Sequence, residues 1–452
     1  MPARRHGRGP AGGDRSPRGP MLALLLLSGL AGAGVVGQSC RFAGFAEHRD
    51  PVGMSAMPRI ALDRAAYAER LRAMWIGECI ANWTGLRTEG VRTARPFFTD
   101  ADWGEPLGRD GARIDFVLLD PCPADDDTDI EYVYLHLMTE ARRLRLSPEQ
   151  IRDGWRAHIH DFIWVSNRRA RDLMERGVLP PATSLPELNP DALQIDAQLT
   201  TEIFGALAPG MPDLALRIAD LPVRTTAHGH AADAARFHVL LFSLAATVDP
   251  GKPRREEIVR IVREARRYLP DASKASDVID FVLSAYLSSE DRDDWERARD
   301  AIARRYQERA WLHGFLYRGF TESAINLAAG TLALLFGEGS FARTVQIGTL
   351  SGWDSDNGTA TMGALVALIG GMEALREAFP EARWSDRYRI HRTRPTLPDR
   401  LPEDPEAEDT FTDVSRRMVE LVDLAVKEAG GEVEPTRWGI PGPVGPRRSR
   451  GR

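Results

Sequence analysis

A chain of 452 residues with 43% apolar and 27% charged residues can bury a sizeable core, and a net charge of −6 excludes the basic footprint of a nucleic-acid-binding protein. Its three cysteines, Cys40, Cys79 and Cys122, include no Cys-x-x-Cys pair, which excludes a disulfide framework. Cys79 reads as a buried free thiol; a Cys79–Cys122 bridge would require export.

The first twenty residues are rich in Arg, Gly and Pro and read as a disordered leader. Met21-Leu22-Ala23-Leu24-Leu25-Leu26-Leu27, continued in small residues to Gly37, has the character of a secretory signal and is short for a membrane span. Cys40 follows Gly37-Gln38-Ser39 as in a lipoprotein cleavage site, with Gly37 where Leu is usual. The expectation is a leader over 1–40 and a linker over 41–60. The protein is then exported, as a periplasmic or cell-envelope lipoprotein attached through a Cys40 lipid. The alternative is an apolar helix at the start of a cytoplasmic protein.

Asp63 can cap a helix on which Leu71, Trp75, Ile76, Cys79 and Trp83 recur near helical spacing, ending at Gly85. The long loop 86–123 carries Glu89 and leads to Asp125-Asp126-Asp127-Thr128-Asp129, which precedes an apolar run over 130–137. Ser147-Pro148-Glu149-Gln150 is a helix start, and the helix is predicted to run through Trp155 and Phe162. His158, His160 and Asp161 lack the upstream His that a His-Asp phosphohydrolase needs, and read as surface and groove residues. After a Pro-rich crossing over 178–190, helices are predicted at 191–207, 229–247, 254–268, 275–287, 293–306 and 322–336. His228 and His230 open the second of these. Then come Gly352-Trp353-Asp354-Ser355-Asp356-Asn357-Gly358-Thr359 and a small-residue helix over 360–371. A crossing from Tyr388, an amphipathic helix over 412–428 and a disordered tail over 439–452 complete the chain. With alternating strand patterns scarce, the expectation is all-α: a large orthogonal helical bundle over 61–387, on which 388–438 packs.

Asp354 and Asp356, two apart on a turn, can aim both carboxylates at one point beside the Asn357 oxygen, an arrangement for a hard cation rather than zinc. The cluster at Asp125 can share the same centre. Either cluster alone also fits plain helix capping. An EF-hand is excluded, because the sixth and twelfth positions from Asp125 are Ile130 and His136.

Together these stretches resemble the ADP-ribosylglycohydrolases of the dinitrogenase reductase-activating glycohydrolase type, over about 62–375. Asp125-Asp126-Asp127-Thr128 resembles the family's Thr-Asp-Asp-Thr run, and Gly352 to Asn357 its Gly-Gly-Asp-Thr-Asp-Thr run. Ala81-Asn82-Trp83-Thr84-Gly85 resembles its Gly-Asp-Ala-Leu-Gly block, with Glu89 as the Glu that follows. Asp125 and Asn357 stand where the family has Thr, and Asn82 where it has Asp; its Asn-Gly-Ala-Ala-Met-Arg segment is not recognisable, although Asp196-Ala197-Gln198-Leu199-Thr200 lies about there.

The resemblance implies two divalent cations, Mg²⁺ or Mn²⁺, held by Asp125, Asp126, Asp127, Asp354, Asp356 and Asn357. It implies Asp126 or Asp356 as base and Glu89 as a gating or completing residue. It places a substrate contact at His228; Trp353 and Trp83 read either as an aromatic wall for adenine or, as tryptophans beside small residues more often are, as packing. The implied substrate is an ADP-ribosylated protein or small molecule, opened at its glycosidic bond by a monomeric hydrolase. Two rivals are a two-metal phosphohydrolase and a catalytically weak ADP-ribose-binding relative.

Overall fold

The computed structural model describes residues 59–442. The leader, the apolar run, Cys40 and the end of the tail lie outside the described residues. Strand β1 (Arg59–Asp63) runs directly into helix α1 (Arg64–Gly85), and the Asp63 carboxylate accepts from the Ala66 amide at 2.7 Å, as a capping residue should. After a long irregular stretch come β2 (Cys122–Pro123), α2 (Asp126–Ala141), α3 (Pro148–His158) and α4 (Val165–Glu175). The middle of the chain is α5 (Glu202–Ala206), α6 (Pro212–Thr226), α7 (Gly229–Ala245), α8 (Arg254–Arg266), α9 (Lys274–Ser288), α10 (Trp295–Ala303), α11 (Ser323–Phe336), α12 (Phe341–Ser351) and α13 (Ser355–Ala378). It closes with β3 (Arg387–Arg389), β4 (Asp409–Thr410), α14 (Phe411–Glu428), β5 (Glu432–Val433) and β6 (Arg437–Pro441). The all-α expectation holds: the described strands form two small three-stranded sheets.

The core is built on α1 and α13. By length and composition α13 is apolar enough to cross a membrane, but its apolar side chains are buried within the fold. It lies antiparallel to α1 at a distance that only small residues permit. A Cβ on Gly77 would sit 2.6 Å from the Ala367 Cβ, one on Gly363 2.5 Å from the Ala81 Cβ, and one on Gly85 2.5 Å from the Asp356 Cα. Gly77, Ala81 and Gly85 recur every fourth residue and so share one face of α1. This seam brings the C-terminal end of α1 against the first turn of α13. Elsewhere α1 is covered by α14, where the Trp75 indole meets the Met418 sulfur at 3.1 Å.

The sheets tie distant segments to this core. β6 pairs antiparallel with both β1 and β5, setting Ile60 opposite Ile440. β2 pairs parallel with β3, setting Cys122 opposite Tyr388, and the Ala124 amide donates to the Arg389 carbonyl at 3.1 Å. The turn after β3 is thereby laid beside the start of α2. Cys79 and Cys122 are both buried free thiols.

Several predicted elements differ. The helix from Pro148 stops at His158, and Phe162 lies beyond it at φ 50°, where the buried Arg394 guanidinium binds the Asp161 and Phe162 carbonyls. The stretch 191–207 is a succession of turns with helix only at Glu202–Ala206. Its polar side chains are engaged elsewhere: Asp196 accepts from the Ser166 and Asn167 amides, and Gln198 donates to Ser323. Helices α4, α6 and α12 were not anticipated. The tail begins later than expected, since Gly439 to Pro441 belong to β6.

Candidate active site

Each acidic turn opens a helix. At α2, the Asp125 amide donates to the Thr128 hydroxyl at 3.1 Å, and Asp126, Asp127 and Asp129 place negative charge in the first turn, where the helix dipole favours it. At α13, Asp354 occupies the N-cap position, yet its carboxylate does not hydrogen-bond its own helix. Capping therefore does not account for Asp354. The turn before it requires Gly352, which sits at φ 91° with the Arg92 carbonyl 2.4 Å from where a Cβ would stand. Ser355 anchors the turn to α1 through the Gly85 carbonyl at 3.0 Å.

The α1–α13 seam sets the late turn against the end of α1, and from there Asn82 reaches Asp127 of the early turn. Carboxylate oxygens of Glu89, Asp354 and Asp356 lie within 4.8 Å of one another, and so do those of Asp125, Asp126 and Asp127. Between the groups, the Asn357 amide donates to Asp127 Oδ1 at 2.9 Å, while Asn82 donates to Asp127 Oδ2 at 2.9 Å. All six acids line one cavity of about 1110 Å³. Asn357 is buried behind it, holding Asp127.

Burial pushes the Asp126, Asp127, Asp354 and Asp356 carboxyls well above the ordinary carboxylate range, and the neighbouring acids push them further. Asp356 Oδ1 is buried with no hydrogen-bond donor. Such crowding of acids is what a bound cation relieves.

Glu89 comes from the long loop after α1. Its carboxylate accepts from Arg109 at 2.6 Å, and the next residue, Gly90, donates its amide to the Trp353 carbonyl at 2.9 Å. The loop is thus fastened to the late turn.

Two expected substrate contacts are not at the cavity. Trp353 is fully buried: its indole donates to Gln307 at 3.0 Å and its ring packs on Phe97 at 4.7 Å. His228 is exposed at the N-cap of α7, where its amide is tied to the Ala192 carbonyl at 2.8 Å, and it does not line the cavity. His158 likewise lies outside it, bonded to Thr396 at 3.0 Å.

Trp83 does line it, joined by Phe162, Trp164, Phe320, Arg392 and Asp196, which the sequence reading had not placed there. Asp196 carries a pKa pushed up to about 6 by burial, partly offset by the α4 amides it accepts from. Its place where the family's Asn segment was sought is the one signal that pointed to it.

The ADP-ribosylglycohydrolase family model matches residues 63–410. The chain belongs to the ADP-ribosylglycohydrolase family. The matched span includes every cavity residue named above, and membership makes this protein a hydrolase. Among solved structures, a chain described as an ADP-ribosylglycohydrolase-related protein complex is 14% identical, with a TM-score of 0.46 over 80% of this chain and 99% of that one. No curated protein matches this ADP-ribosylglycohydrolase-family chain.

Proposed function

We propose that this family member hydrolyses the bond between the anomeric carbon of ADP-ribose and a protein side chain or small acceptor, using divalent cations, Mg²⁺ or Mn²⁺, held between its two acidic turns. The observation that carries the reading is the meeting of two carboxylate groups, more than 200 residues apart in sequence, in one cavity. The donors fit hard cations, being oxygen atoms without His or Cys, and the orphaned Asp356 Oδ1 leaves an acceptor for a ligand. Asp126, Asp127, Asp354 and Asp356 would hold the ions. When bound, such ions fix sugar hydroxyls and make a water more acidic.

The chain's own residues supply the rest. Cleavage at an anomeric carbon passes through an oxocarbenium-like state, and a cavity with two clustered groups of acids in its lining would stabilise positive charge developing there. Asp126 and Asp356 are the candidates to take the proton of the attacking water. Glu89, held by Arg109 on its loop, stands with Asp354 and Asp356 and would complete the late carboxylate group. Trp83 offers a flat apolar face at the wall.

Replacing Asp354 tests the assignment. Asp354→Ala is expected to abolish turnover and the rise in Tm that Mn²⁺ gives the parent protein, while the helical circular dichroism stays intact. An unchanged rate removes Asp354 from the mechanism. Incubation with arginine-linked and serine-linked ADP-ribosyl peptides, with and without chelator, should release free ADP-ribose only without chelator; inorganic phosphate as product would point to the phosphohydrolase instead. Export through the signal-like run is part of the same proposal and makes the acceptor an envelope or extracellular one. Mature protein found in the cytosolic fraction would remove that part.

A further inference from the structure

Asp125 differs from its neighbours in the acidic turn. Its Oδ1 accepts from Arg392 Nη1 at 2.9 Å, and the same nitrogen donates to the Ala124 carbonyl at 2.6 Å. Its Oδ2 stands 3.5 Å from the Asn82 amide. Both oxygens therefore already face donors. The guanidinium is itself well located, with its central carbon 5.0 Å from the Trp83 ring centroid and 5.2 Å from that of Phe162. Aromatic faces on a guanidinium restrict where it can swing and favour its charge. The β2–β3 pairing fixes the backbone on both sides of the contact. Neither Asp126 nor Asp127 makes an ion pair with an arginine among the described residues. Asp127 meets only the neutral amides of Asn82 and Asn357.

We propose that Arg392 is a positioning residue that holds Asp125 out of the cation ligand set and so lowers the affinity of the site for divalent ions. The proposal rests on the metal reading above. One oxygen of Asp125 lies within 4.8 Å of oxygens of Asp126 and Asp127, close enough for a freed carboxylate to act on the same ion. Pairing cancels that charge and occupies the oxygen that would otherwise turn toward the ion. A site with less net negative charge binds more weakly and exchanges its ion and waters more readily. An interaction of unit charges over this distance in a partly buried site is worth about tenfold or more in affinity.

The test is Mn²⁺ binding to the full-length protein, read from the electron paramagnetic resonance signal of free Mn²⁺, so that no turnover is needed. Arg392→Gln should bind Mn²⁺ about tenfold more tightly, because Asp125 is released toward the ion. Asp125→Asn should bind about tenfold more weakly, because the Arg392 charge is then unopposed. The double variant should return to within about threefold of the parent, showing that the two act as a pair. Arg392→Lys keeps the charge and should retain the parent affinity. Circular dichroism melts identify any variant that does not fold, and the remaining arms still decide.

An Arg392→Gln protein that binds Mn²⁺ as the parent does, or more weakly, overturns the proposal and leaves the metal reading standing. A raised KM for substrate with unaltered Mn²⁺ affinity also overturns it, and assigns Arg392 to substrate binding. A parent protein that binds no Mn²⁺ removes the metal reading and this proposal with it.

Discussion

One turn apart on α2, Asp125 and Asp129 each meet an arginine from the segment after β3, and the two ion pairs live in different surroundings. Arg392 and Asp125 are 2.9 Å apart at the cavity wall, with side chains 30% and 11% exposed. Arg394 and Asp129 are 2.8 Å apart with both side chains at 0% exposure. The buried guanidinium also holds the Asp161 and Phe162 carbonyls, so it fixes the strand of chain that presents Phe162 to the cavity. The pairs share one helix and one turn. Depth and the two carbonyls make one a structural lock, while the other faces the cavity.

The largest effect should come from breaking the deep pair. Arg394→Met strands Asp129 in the interior and releases two carbonyls, and is expected to cost about 3–5 kcal/mol in urea unfolding. A loss under about 1 kcal/mol would show that depth does not separate the pairs. Substituting both partners, Arg394→Met with Asp129→Leu, should cost less than the single change, because no charge is left behind.

Next comes pH. Burial raises the Asp129 carboxyl to about 6, with Arg394 opposing the rise. The folded state then holds this proton more tightly than the unfolded chain. Its contribution to stability is full below the ordinary value of 3.8 and is lost as pH rises through about 6. Unfolding free energies between pH 4 and 7 should fall more steeply for the parent than for Asp129→Asn. Parallel profiles would place the titration elsewhere.

The smallest effect on stability belongs to the wall pair. Arg392→Gln should change the unfolding free energy by less than about 1 kcal/mol, since the guanidinium is partly solvated, even as cation affinity shifts. A loss as large as that of the deep pair would erase the distinction.

What the sequence disclosed follows from how far each signal reaches. Asp63 and Ser147 act on amides within three residues, so their helix starts were legible. The acidic turns were legible because several carboxylates at close spacing have few uses. By contrast, α6 carries Pro222 inside it, which reads as a breaker, and β6 is a strand only because β1 lies beside it from the other end of the chain. The sequence leaves open whether Trp353 packs or faces substrate, because that depends on Phe97 and Gln307, neither near it in sequence; it packs. Arg392 and Asp196 stand singly in irregular segments, and no periodicity marks them. Their place at the cavity exists only once β2 and β3 pair and α4 presents its amides.

The seam of Gly77, Ala81 and Gly85 against α13 sets, by direct backbone contact, how closely the late acidic turn approaches the end of α1. It is a ruler made of main chain, with no long side chain whose rotamer could stretch or shorten it. Ligands of different bulk would then be accommodated at the aromatic wall of the cavity, while the late turn and the Glu89 loop fastened to it keep their place against α1.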